Sequence, residues 1–187
     1  MSTNYHTAFG ISEDVDIRSL NTRLAALDQA ITDAIGSLVL SAALLEERQN
    51  TGVDGGSASA ATWNQRGNLT EVSDSGLIVS VSTNTFTPDA GTYMIFVDAV
   101  ANEVSKSRIC LYNDTDDETV KEGLDGNSPS SGSSHVASLF YIFTADGSTA
   151  YRIDHYTETA KATTGLGAAV GDGSDEVYCQ ILLIKFG

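Results

Sequence analysis

Basic residues are scarce in this chain. Ten Lys and Arg stand against 25 Asp and Glu, a net charge of −15, and no stretch gathers the few cations together. Neutralising a phosphate backbone needs clustered cations, so nucleic acid is excluded as a partner. The acidic surface favours solubility and keeps like particles apart. Only two cysteines occur, Cys110 and Cys179, too few for a disulfide scaffold or a four-thiolate zinc site. They read as buried thiols acting as small apolar residues, with a bridge between neighbouring strands as the alternative. No run approaches the roughly 18 apolar residues of a membrane span. The first 16 residues, MSTNYHTAFGISEDVD, have neither the basic start nor the apolar core of a secretory signal. The expectation is a protein made in a cytoplasm, with no membrane partner, that leaves by lysis if it works outside.

Catalytic residue types are also thin. The three histidines are His6, His135 and His155, and no glycine-flanked serine elbow accompanies them. The run SSGSSH at 130–135 places serines beside a histidine in sequence only, which is not a triad geometry. The acidic residues gather in turns rather than as a facing pair, so glycosidase chemistry has no support either. Two of those turns, around Asn113, Asp114, Asp116 and Asp117 and around Asp172, Ser174, Asp175 and Glu176, have oxygens at close spacing. Neither matches a calcium loop, and they read as hairpin turns without metal. No enzyme activity, cofactor or metal is expected.

A heptad that stops is present. Ile17, Leu20, Leu24, Leu27, Ile31, Ala34 and Leu38 recur at alternating steps of three and four, the seam along which separate helices wind together. Ser12 suits the N-cap, and Glu13, Asp14 and Asp16 place negative charge in the first turn. The spacing predicts a helical stalk over 13–50, with apolar residues spreading round the helix from Ile35 to Leu45 and the seam failing at Ser41 and Arg48. Before it, residues 1–12 are polar with isolated anchors Tyr5, Phe9 and Ile11, a segment that cannot form a core by itself and is expected to be disordered or to dock into something else. After it, TGVDGGSASA within 51–61 reads as a glycine- and serine-rich hinge.

From 62 to 187 short strands follow one another with turns between, at 76–82, 91–101, 107–113, 118–124, 134–145, 150–156 and 176–186. Evenly spaced strands without helices predict a mainly β, antiparallel sandwich or jelly roll. The last strand is apolar on both faces, with Ile181 and Leu183 on one and Tyr178, Ile184 and Phe186 on the other. It requires cover on both sides, from a second sheet and from a loop or another subunit. The strand YRIDHY puts Arg152, Asp154 and Tyr156 on one face, a candidate glycan contact or a solvated face with an ion pair.

The stretches WNQRGNLTEV at 63–72, FTPDAGTYMIFVDAVA at 86–101, RICLYNDTD at 108–116 and EVYCQILLIKF at 176–186 resemble the C1q/TNF-like jelly-roll head of bacteriophage fibre and decoration proteins. Matching positions are Trp63, Arg66, Phe86, Ala90, Gly91, Tyr93, Leu111, Tyr112, Asn113 and Thr115. The resemblance implies a homotrimer packed round a threefold axis and set on an N-terminal stalk or anchor. Trp63 and the closing strand are then expected in the head core or trimer interface. A virion-surface protein follows, a head fibre or capsid decoration protein that contacts capsid or tail proteins through its N-terminus. The alternative is a receptor-binding tail fibre that attaches to host surface glycan.

Overall fold

The computed structural model describes residues 17–36, 41–129 and 131–186. Tyr5, Phe9, Ile11, Ser12, Glu13, Asp14, Asp16 and Leu38 lie outside the described residues. Two units form, 1–39 and 40–187.

In the first unit the helix α1 spans Ile17–Gly36. Leu20, Leu24, Leu27 and Ile31 form its apolar stripe, and all four are exposed. The polar side is knitted locally, by Gln29 Nε2 donating to Asp33 Oδ1 at 2.8 Å and Thr32 Oγ1 to the Asp28 carbonyl at 2.9 Å.

The second unit is the antiparallel jelly-roll sandwich. Its strands are β1 Ser41–Gln49, β2 Thr62–Gln65, β3 Leu69–Asp74, β4 Val79–Ser82, β5 Thr85–Pro88, β6 Gly91–Asn102, β7 Ser105–Asn113, β8 Glu118–Glu122, β9 Gly126–Ser128, β10 Ser134–Ala145, β11 Tyr151–Thr157 and β12 Glu176–Phe186. One sheet runs β10-β6-β12-β1-β3. The other runs β4-β5-β11-β7-β8, with β2 sharing the edge of β11 and β9 that of β7. Alternation drives the packing: Leu45, Ile95, Val97, Ile181 and Leu183 of the first sheet meet Phe86, Ile109, Leu111 and Ile153 of the second, all essentially inaccessible.

The stalk expected over 13–50 is shorter in the structure. Residues 41–49 are β1, paired with β12 from Ser41↔Lys185 to Gln49↔Glu176 and with β3 on its other edge. Ala, Leu, Glu and Arg favour helix, and summed propensity pointed that way. Two-edge pairing and the burial of Ala43 and Leu45 override it. The failed seam at Ser41 and Arg48 is this change of period from 3.6 to 2. Residues 51–61 are likewise no free hinge. Gly55 and Gly56 donate to the carbonyls of Gly167 and Thr163 at 2.9 Å each, and Ala58 bridges with Lys161. The loop they meet fits only because residue 167 is glycine: at φ +140° a Cβ there would lie 2.0 Å from the Tyr178 ring.

The side chain of Arg66 penetrates the end of the sandwich. It is wholly buried, with Nε 2.6 Å from Glu47 Oε2. Its Nη1 donates to the carbonyls of Val100 and Leu166 at 3.2 and 3.0 Å, and its Nη2 to that of Tyr178 at 2.9 Å. Burial pushes the Glu47 carboxyl above its ordinary range, and the charge and hydrogen bond of Arg66 pull it partly back. One guanidinium thus ties β1, β6, β12 and the 161–167 loop together.

Candidate functional site

The side of the five-stranded sheet that faces away from the sandwich is largely open among the described residues. Register places its residues in rows across the strands. Ile142, Met94, Ile184 and Ala42 form one row from β10 through β6 and β12 to β1, and Phe140, Phe96, Leu182 and Leu44 the next. Phe140 is 54 % exposed, Ile142 49 % and Phe96 41 %. The Phe96 and Phe140 rings lie 4.8 Å apart in a tilted stack, and beside them Leu124, Lys121 and Ser138 wall a groove of about 590 Å³. Neighbouring apolar rows of this kind are unusual on a surface that stays wet.

A polar row follows, Ser138, Asp98, Gln180 and Glu46. It is satisfied from within: Ser138 Oγ donates to Asp98 Oδ1 at 2.6 Å, and Gln180 Nε2 to Glu46 Oε1 at 2.8 Å. Arg48 Nε pairs with Glu46 Oε2 at 2.7 Å. Internally hydrogen-bonded groups lose less on burial than free ones, so this row can enter an interface with the apolar rows beside it. Such a face supports association and offers no chemistry.

The closing strand alternates from Cys179 onward, while at its start Val177 is exposed and Tyr178 buried. Cys179, Ile181 and Leu183 lie in the core, while Leu182, Ile184 and Phe186 stand on the open face, Phe186 at 36 % exposure. Tyr178 is covered by its own chain, its hydroxyl donating to the Val53 carbonyl at 2.8 Å. Trp63, expected in the head core or a trimer interface, lies outside the core of its own chain, at 37 % exposure. Strand β2 runs along the edge of β11, with Trp63 opposite Tyr156, and the indole meets that ring edge-on at 5.6 Å instead of entering the sandwich.

Of the candidate glycan contacts, two are engaged within the fold. Arg152 Nε lies 2.9 Å from Asp154 Oδ1, its Nη1 pairs with Asp114, and its guanidinium sits 4.2 Å over the Tyr112 ring. Asp154 is buried. Tyr156 is half-buried, and the sequence signal that would have joined Trp63 to it was the short strand before Arg66.

The acidic turns use their oxygens on the backbone. Asn113 Oδ1 accepts from the N–H groups of Thr115 and Asp116 at 3.0 Å each. Glu176 accepts from those of Gly52, Val170 and Gly171 at 3.0, 3.0 and 2.8 Å, and these bonds hold its carboxyl below the usual range. Among the described residues no group of three or more His, Cys, Asp and Glu side chains is placed to hold a metal ion. Cys110 and Cys179 are free and buried in opposite sheets, and burial pushes both thiols up to about 12. No described helix is long and apolar enough to cross a membrane. His135 does reach a serine, yet it is Ser107 on β7 and none of the neighbours in SSGSSH. Ser107 is itself buried.

No protein-family profile matches the chain, and no curated protein matches it in sequence. Solved structures do match in fold. Murine APRIL superposes with a TM-score of 0.51 at 11 % identity, over 79 % of this chain and 99 % of its own. The PRD1 vertex protein P5 gives 0.48 at 15 % identity, over 79 % and 97 %. The globular domain of zebrafish complement 1qA gives 0.46 at 15 % identity, over 79 % and 96 %. The fold is a TNF/C1q-like jelly roll, the architecture the sequence motifs implied.

Proposed function

We propose that this chain is a non-enzymatic structural protein of a bacteriophage particle, a homotrimeric head fibre or capsid decoration protein. The observation that carries the reading is the open sheet face, whose apolar rows over β10, β6, β12 and β1 require a partner surface. Three copies round an axis bring such faces together, and the exposed stripe of α1 supplies a second seam for the same copies. The phage setting rests on the motif resemblance. In this reading residues 1–12, with Tyr5, Phe9 and Ile11, anchor the protein on capsid or tail proteins, and the acidic head faces solvent. It is made in the host cytoplasm and released by lysis.

Immunogold labelling of purified virions, with antibody to the full chain, tests the placement. Gold on the capsid is expected, gold on the tail moves the reading to a tail fibre, and unlabelled particles overturn it.

A second reading, attachment to host glycan, is favoured by one observation. The exposed Trp63 and the half-buried Tyr156 form an aromatic pair on the outer face of the second sheet, the kind of surface on which sugar rings stack. If it binds host polysaccharide, Trp63→Ala should weaken binding of the full chain at least tenfold without moving its melting temperature by more than about 2 °C. Equal binding by the variant removes the pair from any such role.

A further inference from the structure

At one end of the sandwich a single hydroxyl is shared by imidazoles from opposite sheets. Ser107 Oγ on β7 lies 2.8 Å from His135 Nε2 and 3.1 Å from His155 Nε2. His155, on β11, belongs to the same sheet as Ser107, whereas His135, on β10, belongs to the other. His155 is wholly inaccessible and Ser107 nearly so. The Nδ1 atoms of both histidines are buried without a partner. Strand β9 closes over His135 so tightly that a Cβ on Gly126 would lie 2.5 Å from its Nε2.

Counting protons decides what this arrangement tolerates. The hydroxyl has one hydrogen to give and two lone pairs to accept with. When both neutral imidazoles donate from Nε2, both Nδ1 atoms are bare acceptors, a small loss. When one accepts from Ser107 instead, it alone carries an orphan N–H. A proton added to either ring from the first arrangement creates an N–H at Nδ1 with nothing to receive it, along with a charge in a dry place.

The surrounding charges oppose that proton. His155 is acted on by the Arg66 guanidinium and by His135, both unfavourable to a positive ring, and burial adds to them as the largest cause. His135 is disfavoured as a cation by burial. Glu47 of β1 is committed to Arg66. On β7 the flanking Lys106 and Arg108 point outward, paired with Glu158 and with Glu122 and Asp125. On β6 the residue opposite His135 is Ala101, and β9 brings Gly126, Asn127 and Ser128, none of them ionisable. Beyond β6, Glu103 is paired with Lys161.

We propose that Ser107, His135 and His155 form a proton-operated clasp between the two sheets. Neutral, it ties β10 to β7 and β11. Protonated, it releases this end of the sandwich, with β9 and the adjoining ends of β7 and β10 separating first. This does not depend on the phage reading.

The sign follows from linkage. Both rings titrate lower in the fold than in the unfolded chain, where about 6.5 is ordinary. The unfolded state therefore takes up protons first as pH falls, and the stability present above about pH 6.5 is lost below it. Glu47, shifted upward, works in the opposite sense and is common to wild type and variant.

The experiment is denaturant unfolding of the full chain at fixed concentration and ionic strength between pH 7.5 and 5.5, with His135→Gln alongside. The unfolding constant of the wild type should rise about a hundredfold, roughly tenfold for each histidine, and that of His135→Gln about tenfold. Amide exchange should quicken at β9 while β4 and β5 keep their protection. A flat wild-type profile, or identical slopes in the two proteins, overturns the clasp. Should the variant fail to fold, ring-carbon NMR shifts of the wild type decide. Both rings staying neutral at pH 5.5 sustains the clasp, and either one titrating near 6.5 in the folded protein overturns it.

Discussion

Arg66→Ala should destabilise the β unit by about 3–5 kcal/mol, a fall in melting temperature of roughly 10 °C or more. The loss has two parts. Four hydrogen-bond acceptors, the Glu47 carboxylate and the carbonyls of Val100, Leu166 and Tyr178, lose their donor in a buried place. Glu47 then either stays charged without its partner or takes up a proton, and both cost free energy. A paired substitution separates the charge from the cross-links. In Glu47→Gln with Arg66→Met the stranded charge is gone, so the double variant should recover at least about 1 kcal/mol over Arg66→Ala while remaining below wild type, because the three carbonyls are still unserved. Denaturant unfolding with a double-mutant cycle measures both. A loss under about 1 kcal/mol for Arg66→Ala would mean that the 161–167 loop and β12 hold without it.

Phe96→Asp should turn the proposed trimer into a monomer. Phe96 stands at the centre of the open face, between Phe140 on β10 and Leu182 on β12. A carboxylate there enters each interface without a partner, next to Asp98 two residues on, and removes an aromatic side chain worth roughly 1.5–3 kcal/mol when buried. Three copies repeat the loss, so the dissociation constant should rise by more than about 1,000-fold, some 4 kcal/mol. Sedimentation equilibrium should report three times the 19.7 kDa chain mass for wild type and the single mass for the variant. The fold should survive, since this side chain points away from the core that Ile95 and Val97 enter. Phe96→Leu, which keeps the face apolar, should remain a trimer. A wild-type chain that sediments as a monomer at micromolar concentration would leave the face without its proposed occupant.

The strands with clean period-two burial could be read directly. In β6 the core residues Tyr93, Ile95, Val97 and Ala99 alternate with Met94, Phe96 and Asp98, and in β12 both sets are apolar because one faces the core and the other the open face. β1 could not be read, because SAALLEERQ is composed of helix formers and its strand character comes from β3 on one edge and from β12, more than 100 residues away, on the other. β2, β3 and β5 were missed for a different reason: they are four to six residues long and polar on the outside, too short to display a period. Trp63, which the resemblance placed in the head core or a trimer interface, stands outside the core because short β2 runs along the sheet edge. The open face was half legible, through the two-sided β12, but its rows exist only once register aligns four strands. The buried trio was illegible, since Ser107 and His155 meet through the pairing of β7 with β11 and His135 reaches them only when the two sheets pack.

The partnership of β1 with β12 also sets a timetable. The earliest strand of the sheet, Ser41–Gln49, hydrogen-bonds to the latest, Glu176–Phe186, and together they lie between β6 and β3 at the middle of the layer. While the chain is being synthesised at roughly 5–20 residues per second, β1 therefore waits several seconds for its neighbour, with one edge unpaired. Only when β12 slots in does the layer become continuous, and Leu44 and Leu182 fall into one row. A chain cut short before this strand lacks Leu182, Ile184 and Phe186, and the apolar rows that run from β6 to β1 are then broken.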